Sequence, residues 1–202
     1  MNPYQAAKPD HKIIASLIPQ GATVLDLGCG DGSLLASLID EKQVKGMGID
    51  IIDQDLNKAM SKGLSVLQLD LNKGLSSFKN KMFDYVVLNM SLQSVYNTLL
   101  LVQEMVRVGK KAIVGFPNFG HYKLLLSLLS AGRMPKTKTL PFEWYNTPNI
   151  RLMTIKDFRM MCDNNGIKRL KEVFLDESGK QIAGSFLKWR AVEGIFLLQG
   201  GR

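Results

Sequence analysis

Cysteine is scarce in this sequence. Its 202 residues hold two, Cys29 and Cys162, far apart and with no C-x-x-C pair, which excludes a disulfide framework and a cysteine-based zinc site and fits a reducing compartment. No leader is expected either: Met1-Asn2-Pro3-Tyr4-Gln5 has no basic stretch followed by an apolar run. Long hydrophobic runs are absent. The most apolar segment, Leu124 to Leu129, is interrupted by Ser127 and falls far short of a bilayer span. No internal repeat or low-complexity linker divides the chain. The expectation is one soluble cytoplasmic domain over residues 1–202, without a membrane partner and without a bound metal.

What is present is ordinary for a folded protein. A content of 46% hydrophobic and 22% charged residues argues against disorder. The net charge of +8 raises the question of a nucleic-acid partner. However, the lysines, among them Lys42, Lys45, Lys58, Lys62, Lys73, Lys79 and Lys81, are scattered and lack interleaved aromatics on which bases stack. No nucleic acid is expected.

Hydrophobic period and breakers give an alternating order of elements. Helical spacing spans His11 to Leu17, then Leu34, Leu35, Leu38 and Ile39, then residues 53 to 62. A stripe of Leu92, Val95, Leu99, Val102 and Val106 marks a longer helix stopped by Gly109. Between these lie apolar runs expected as strands: Thr23 to Leu27, Val44 to Ile49, Leu64 to Leu69, Phe83 to Leu88 and Ala112 to Gly115. Such alternation implies a parallel sheet with helices on both faces. Further on, Tyr122 to Leu129 reads as a helix, about 116 to 150 as an irregular lid or interface segment, and Thr154 with Asp157 as a capping box. That box opens a helix ending at Gly166, with Ile155, Phe158 and Met161 turned inward. Ile167 to Leu175 and Phe186 to Leu198 read as two final, antiparallel strands.

Ligands of open α/β sheets bind beyond the carboxyl ends of the strands. Four such ends carry polar groups: Asp26 with the loop Gly28-Cys29-Gly30-Asp31-Gly32, then Asp50, Asp70 and Asn89. A glycine loop alone is weak evidence, because dinucleotide sites have one. Here Ser33 stands where that pattern needs Gly or Ala, and Asp26 and Asp31 flank the loop, where they would repel a pyrophosphate. S-adenosylmethionine, with an ammonium and a sulfonium, suits carboxylates. Asp50 would accept hydrogen bonds from the ribose hydroxyls. Asp31 reads equally as a helix cap, Asp70 either as an adenine contact or as the start of a turn with Asn72 and Gly74, and Cys29 as a packing residue rather than a nucleophile.

The run Val24 to Gly32 resembles the first motif of class I methyltransferases; Gly48-Ile49-Asp50 and Leu69-Asp70 are similar to their second- and third-strand acids. Val114 to Gly120, Gly132 to Pro135, Leu140 to Ile150 and Val87 to Gln93 resemble the MetW family of methionine biosynthesis proteins over most of the chain, more weakly after about residue 166. The resemblance implies a Rossmann-like class I methyltransferase fold, α/β, with a mostly parallel seven-stranded sheet and an antiparallel last strand. It also implies S-adenosylmethionine or S-adenosylhomocysteine held by Asp26, Gly28, Cys29, Gly30, Asp50, Ile51, Asp70, Leu71 and Asn89. For function it implies a supporting role beside a homoserine O-acyltransferase. The residues alone suggest the alternative, a methyltransferase acting on a small-molecule acceptor, in which positioning matters more than a catalytic dyad. His121 is the nearest candidate base, read as surface or structural. Tyr122, Glu143, Trp144 and Tyr145 would line the acceptor pocket, or Phe142, Trp144 and Tyr145, near Arg133 and Arg151, would form an interface or pack inward.

Overall fold

Five strands build the parallel half of one sheet: β1 (Thr23–Leu27), β2 (Lys45–Asp50), β3 (Val66–Gln68), β4 (Phe83–Asn89) and β5 (Gly109–Pro117), of which β1, β4 and β5 are largely buried while β3, at the edge, has no fully buried residue. Three further strands, β6 (Ile167–Leu175), β7 (Gln181–Ile182) and β8 (Glu193–Gly200), complete the order β3-β2-β1-β4-β5-β8-β6-β7. The structure, a computed structural model, describes residues 8–137 and 140–201. The stretch Met1 to Gln5, expected to carry no leader, and two residues of the irregular segment, 138 and 139, lie outside the described residues.

The sheet has eight strands, not seven. The extra one, β7, is a two-residue edge pairing with Phe174 and Leu175 of β6, too short to show alternation in sequence. β8 runs antiparallel between β5 and β6, with Val114 opposite Phe196.

Alternation along the central strands sends side chains to two separate cores, as the two-residue period of a strand requires. Val24, Tyr85, Val87, Ile113 and Ile195 pack on one face with Ile14 and Ile18 from α1 (Pro9–Leu17) and its C-cap and with Leu34, Leu35 and Leu38 of α2 (Ser33–Lys42). Leu25, Leu27, Val86, Leu88, Val114 and Phe196 face the other way, against α4 (Thr98–Val108) and α6 (Ile155–Asn164). Each fully buried aliphatic or aromatic side chain stabilises by about 1.5–3 kcal/mol. α3 (Asp53–Ser61) adds Leu56 and Ala59, and α5 (Tyr122–Ala131) and α7 (Leu187–Arg190) complete the helices.

Several boundaries move. The helix expected from Leu92 starts at Thr98, because Leu92–Ser94 is a separate 3-10 turn; Leu92, Val95, Val102 and Val106 are buried as expected, Leu101, Met105 and Val108 join them, and Leu99 is exposed. The last strand begins at Glu193: Phe186 takes a left-handed φ of 64° and starts α7 instead. The capping box at α6 is present, Thr154 and Asp157 exchanging both bonds. Among the described residues no helix is long and apolar enough to cross a membrane.

Candidate functional site

The strand order reverses between β1 and β4, so the connections leaving those strands diverge and open a crevice at their carboxyl ends. The expected residues gather at that edge. Asp50 ends β2, and its Oδ2 accepts from Gly30 N–H at 2.8 Å, while Oδ1 accepts from Ile51 and Ile52 N–H at 2.7 and 3.0 Å. This carboxylate therefore has less free acceptor capacity than the sequence suggests: it clamps the glycine loop before it meets any ligand. Ile51 and Ile52 stand beside it with more than half their surface exposed, an apolar shelf at the strand end.

The loop glycines divide into two kinds. At Gly28, with φ +64°, a Cβ would meet Ser91 Oγ at 2.6 Å, so this glycine serves packing against the loop after β4. At Gly30, with φ +54°, a Cβ would meet nothing within 4 Å, so the backbone lies open there. Cys29 is engaged on every side. Its N–H donates to Ile49 O, its carbonyl accepts from Gly32 N–H, and its buried thiol, pushed up to about 12 by burial and then by the charges of Asp26 and Asp50, is no nucleophile. Cys29 shapes the loop.

Asp26 lies inside β1, fully buried, with its Oδ2 lacking a hydrogen-bond partner; burial and then the charge of Asp50 push its carboxyl up to about 7. Asp31, by contrast, is committed locally, to Ser33 N–H and to Lys62 Nζ at 2.8 Å. Burial opposes its ionisation, but those hydrogen bonds outweigh it and hold Asp31 down to about 2. Asp70 makes the turn that the sequence allowed: Oδ1 accepts from Asn72 N–H and Nδ2, and Gly74 closes the turn. Leu71 is half-buried on that same turn.

Asn89 ends β4 and brings in a residue that sequence reasoning missed. Its Nδ2 donates to Asp10 Oδ2 at 2.6 Å, and its buried Oδ1 has no partner. Asp10 sits 79 positions away, in the first turn of α1, and only the folded sheet shows the pairing. Met90 follows with φ +55°, a conformation a non-glycine side chain adopts at a cost, next to the crevice.

Beside Asp10 a second feature opens. A cavity of about 570 Å³ is lined by Asp10, Asn118, His121, Leu124, Glu177 and Glu193, among others. His121, expected at the surface or in a structural role, is buried at the start of α5, its Nε2 4.0 Å from Glu177 Oε1, and burial lowers its basicity. Glu193 opens β8 and is nine-tenths buried, with Oε1 unpartnered; burial, then the charge of Asp10, push its carboxyl up to about 8. Nothing in the local sequence at Glu193 marks it, since it is one acid at the edge of an apolar run. Among the described residues no three His, Cys, Asp or Glu side chains are placed to ligate a metal.

The aromatics of the irregular segment do not pack inward. Trp144 and Tyr145 are 73% and 70% exposed, and Phe142 is half-exposed. With Leu125, Leu128 and Leu152, Phe142 and Trp144 border a shallow apolar groove of about 200 Å³. Arg151 turns away to the Tyr96 carbonyl at 2.8 Å.

Solved structures similar to this chain include a SAM-dependent methyltransferase of Thermotoga maritima, described as a possible histamine N-methyltransferase. It aligns with a TM-score of 0.69 and 15% identity, covering 95% of this chain and 87% of that one. A SAM-dependent methyltransferase of Archaeoglobus fulgidus gives 0.65 and 14%, covering 93% of each. The fold is that of class I SAM-dependent methyltransferases. In sequence, the bifunctional methionine biosynthesis protein MetXA/MetW of Rhodopirellula baltica is 40% identical over 183 residues, 86% of this chain. Those residues make up 29% of that protein, so the chain spans about three tenths of its curated relative. The family described as methionine biosynthesis protein MetW matches residues 8–198. The chain belongs to the MetW family.

Proposed function

We propose that this protein binds S-adenosylmethionine or S-adenosylhomocysteine at the carboxyl edge of β1–β4 and supports a homoserine O-acyltransferase in methionine biosynthesis. The residues at that edge fit the adenosyl group. Asp26 Oδ2 and Asn89 Oδ1 are buried acceptors without partners, the kind of atoms that a ligand's ammonium satisfies, and the backbone at Gly30 is bare. Asp50 keeps one free lone pair on Oδ2 for a ribose hydroxyl while holding the loop. Ile51 and Leu71 offer apolar contact to the adenine faces, and Asp70 offers its second oxygen to the exocyclic amine. Cys29 contributes by fixing the loop between these groups. When bound, S-adenosylmethionine carries an activated methyl group on sulfur.

The observation that carries the supporting role is the relative that joins MetXA and MetW in one chain at 40% identity to this one. Fusion places the two activities at high effective concentration, which is useful when they act together. The exposed Phe142, Trp144 and Tyr145 have the composition of a docking surface. A second reading, methyl transfer to a small acceptor, is favoured by the cavity beside Asp10, which has the volume of a small-molecule site.

One experiment separates the two. A homoserine O-acyltransferase is assayed with and without this protein at several S-adenosylmethionine concentrations. Activation without consumption of the cofactor is the expected result. Consumption of the cofactor with no effect on acyl transfer would replace the supporting role by the methyltransferase.

A further inference from the structure

We infer that the cavity between α1, α5 and the start of β8 is a second small-molecule site, built for a ligand carrying a primary ammonium on a short aliphatic body. This is the cavity of the methyl-transfer reading above, and the inference names the ligand class it would take; it is argued from the cavity's own residues and does not need the adenosyl site.

The lining inverts the charge of the protein. A chain of net charge +8 here turns Asp10, Asp176, Glu177 and Glu193 to one space of about 570 Å³, and among the described residues no Lys or Arg lines it. Two of these acids are occupied locally. Asp176 Oδ1 accepts from Ser178 and Lys180 N–H and shapes the turn into β7, and Glu177 Oε2 pairs with Lys123 at 2.6 Å. The other two form the deep end. Asp10 Oδ2 is bound by Asn89, and Glu193 Oε1 is buried with no partner. A buried acceptor left unpaired costs stability, and such a cost persists in natural proteins mainly where a ligand relieves it.

The rest of the wall defines the ligand's shape. Leu124, Leu175 and Val192 supply apolar surface opposite the acids. Asn118 is fixed: its Nδ2 donates to the Lys188 and Ala191 carbonyls, and its Oδ1 accepts from Gly120 and Ile155 N–H. It holds the floor and has no donor left to offer. A metal ion is disfavoured, because no three ligating side chains converge among the described residues. An anion would face carboxylates on one side and leucine on the other. An ammonium with a few methylenes matches both, its N–H donors reaching Glu193 and Asp10.

The test titrates the full chain, without S-adenosylmethionine, with n-butylamine, and in parallel with n-butanol, while backbone amide spectra are recorded. Saturable shifts at Asp10, His121 and Glu193 are expected with the amine, with the alcohol about 10- to 100-fold weaker. Glu193→Gln should abolish the preference for the amine. Glu193→Met, which removes the buried acid altogether, should raise the melting temperature and lose the amine response. Equal responses to amine and alcohol, shifts confined to residues 28–31, no response at all, or a lower melting temperature for the Met variant would each overturn the assignment. Loss of S-adenosylmethionine binding elsewhere in the protein would leave these readouts unaffected.

Discussion

Asp50 and Gly30 are joined by a hydrogen bond of 2.8 Å from the loop N–H to the carboxylate that ends the neighbouring strand. Asp50 holds the glycine loop, and in the proposed site it would also meet the ribose. Replacement by Ala removes both contacts. Asp50→Ala is expected to weaken S-adenosylmethionine binding by roughly 2–3 kcal/mol, about 30- to 150-fold in calorimetric titration. A variant that binds like the native chain would remove Asp50 from the site.

Asp26 makes stability depend on pH in an unusual direction. Its folded carboxyl sits at about 7, mainly through burial, against an ordinary 3.8. The folded state thus keeps a proton that the unfolded chain gives up, and stability falls as pH rises from about 4 to about 7. Asp26→Asn escapes that loss. It should be more stable than the native chain at pH 8, by up to about 4 kcal/mol, with the gap narrowing towards pH 4. Urea unfolding at several pH values checks this, and a gap that is constant with pH would contradict it.

The two loop glycines should separate stability from affinity. Gly28→Ala forces a Cβ against Ser91 at a left-handed φ and is expected to cost at least about 1–2 kcal/mol of stability, partly recovered by Ser91→Gly. Gly30→Ala meets open space, so its stability cost is limited to the backbone preference while its cofactor affinity drops further. Equal losses of stability in the two variants would refute this division of roles.

Trp144→Ala removes a side chain that is 73% exposed. Stability within about 0.5 kcal/mol of the native chain and unchanged cofactor binding are expected, together with reduced copurification with the acyltransferase. Undiminished copurification would take the docking role away from this aromatic.

The parallel half of the fold is legible because its signals are local: β1, β2 and β4 are short apolar runs bounded by turn residues, and the glycine loop and its acids follow them directly. Legibility fails where a partner lies far away in sequence. Asp10 is an ordinary first-turn acid until the sheet sets it against Asn89, and Glu193 is marked only by burial that α1 helps to supply. Phe186 to Arg190 reads as strand on its aromatic content, yet a left-handed Phe186 turns it into a short helix. Leu99 looks buried at helical spacing from Leu92, but the 3-10 turn between them breaks the phase. Gly28 reads as a ligand glycine in sequence, and only the fold shows that its missing side chain also makes room for Ser91.

The claim on which the rest depends is that carboxylates and bare backbone at adjacent strand ends select a cationic adenosyl ligand over a pyrophosphate. Parallel calorimetric titrations of the full chain at pH 8 with S-adenosylmethionine and with NAD test it most directly. One saturable site for S-adenosylmethionine and no measurable heat with NAD is the expected outcome; saturable NAD binding, or no binding of S-adenosylmethionine, would contradict it.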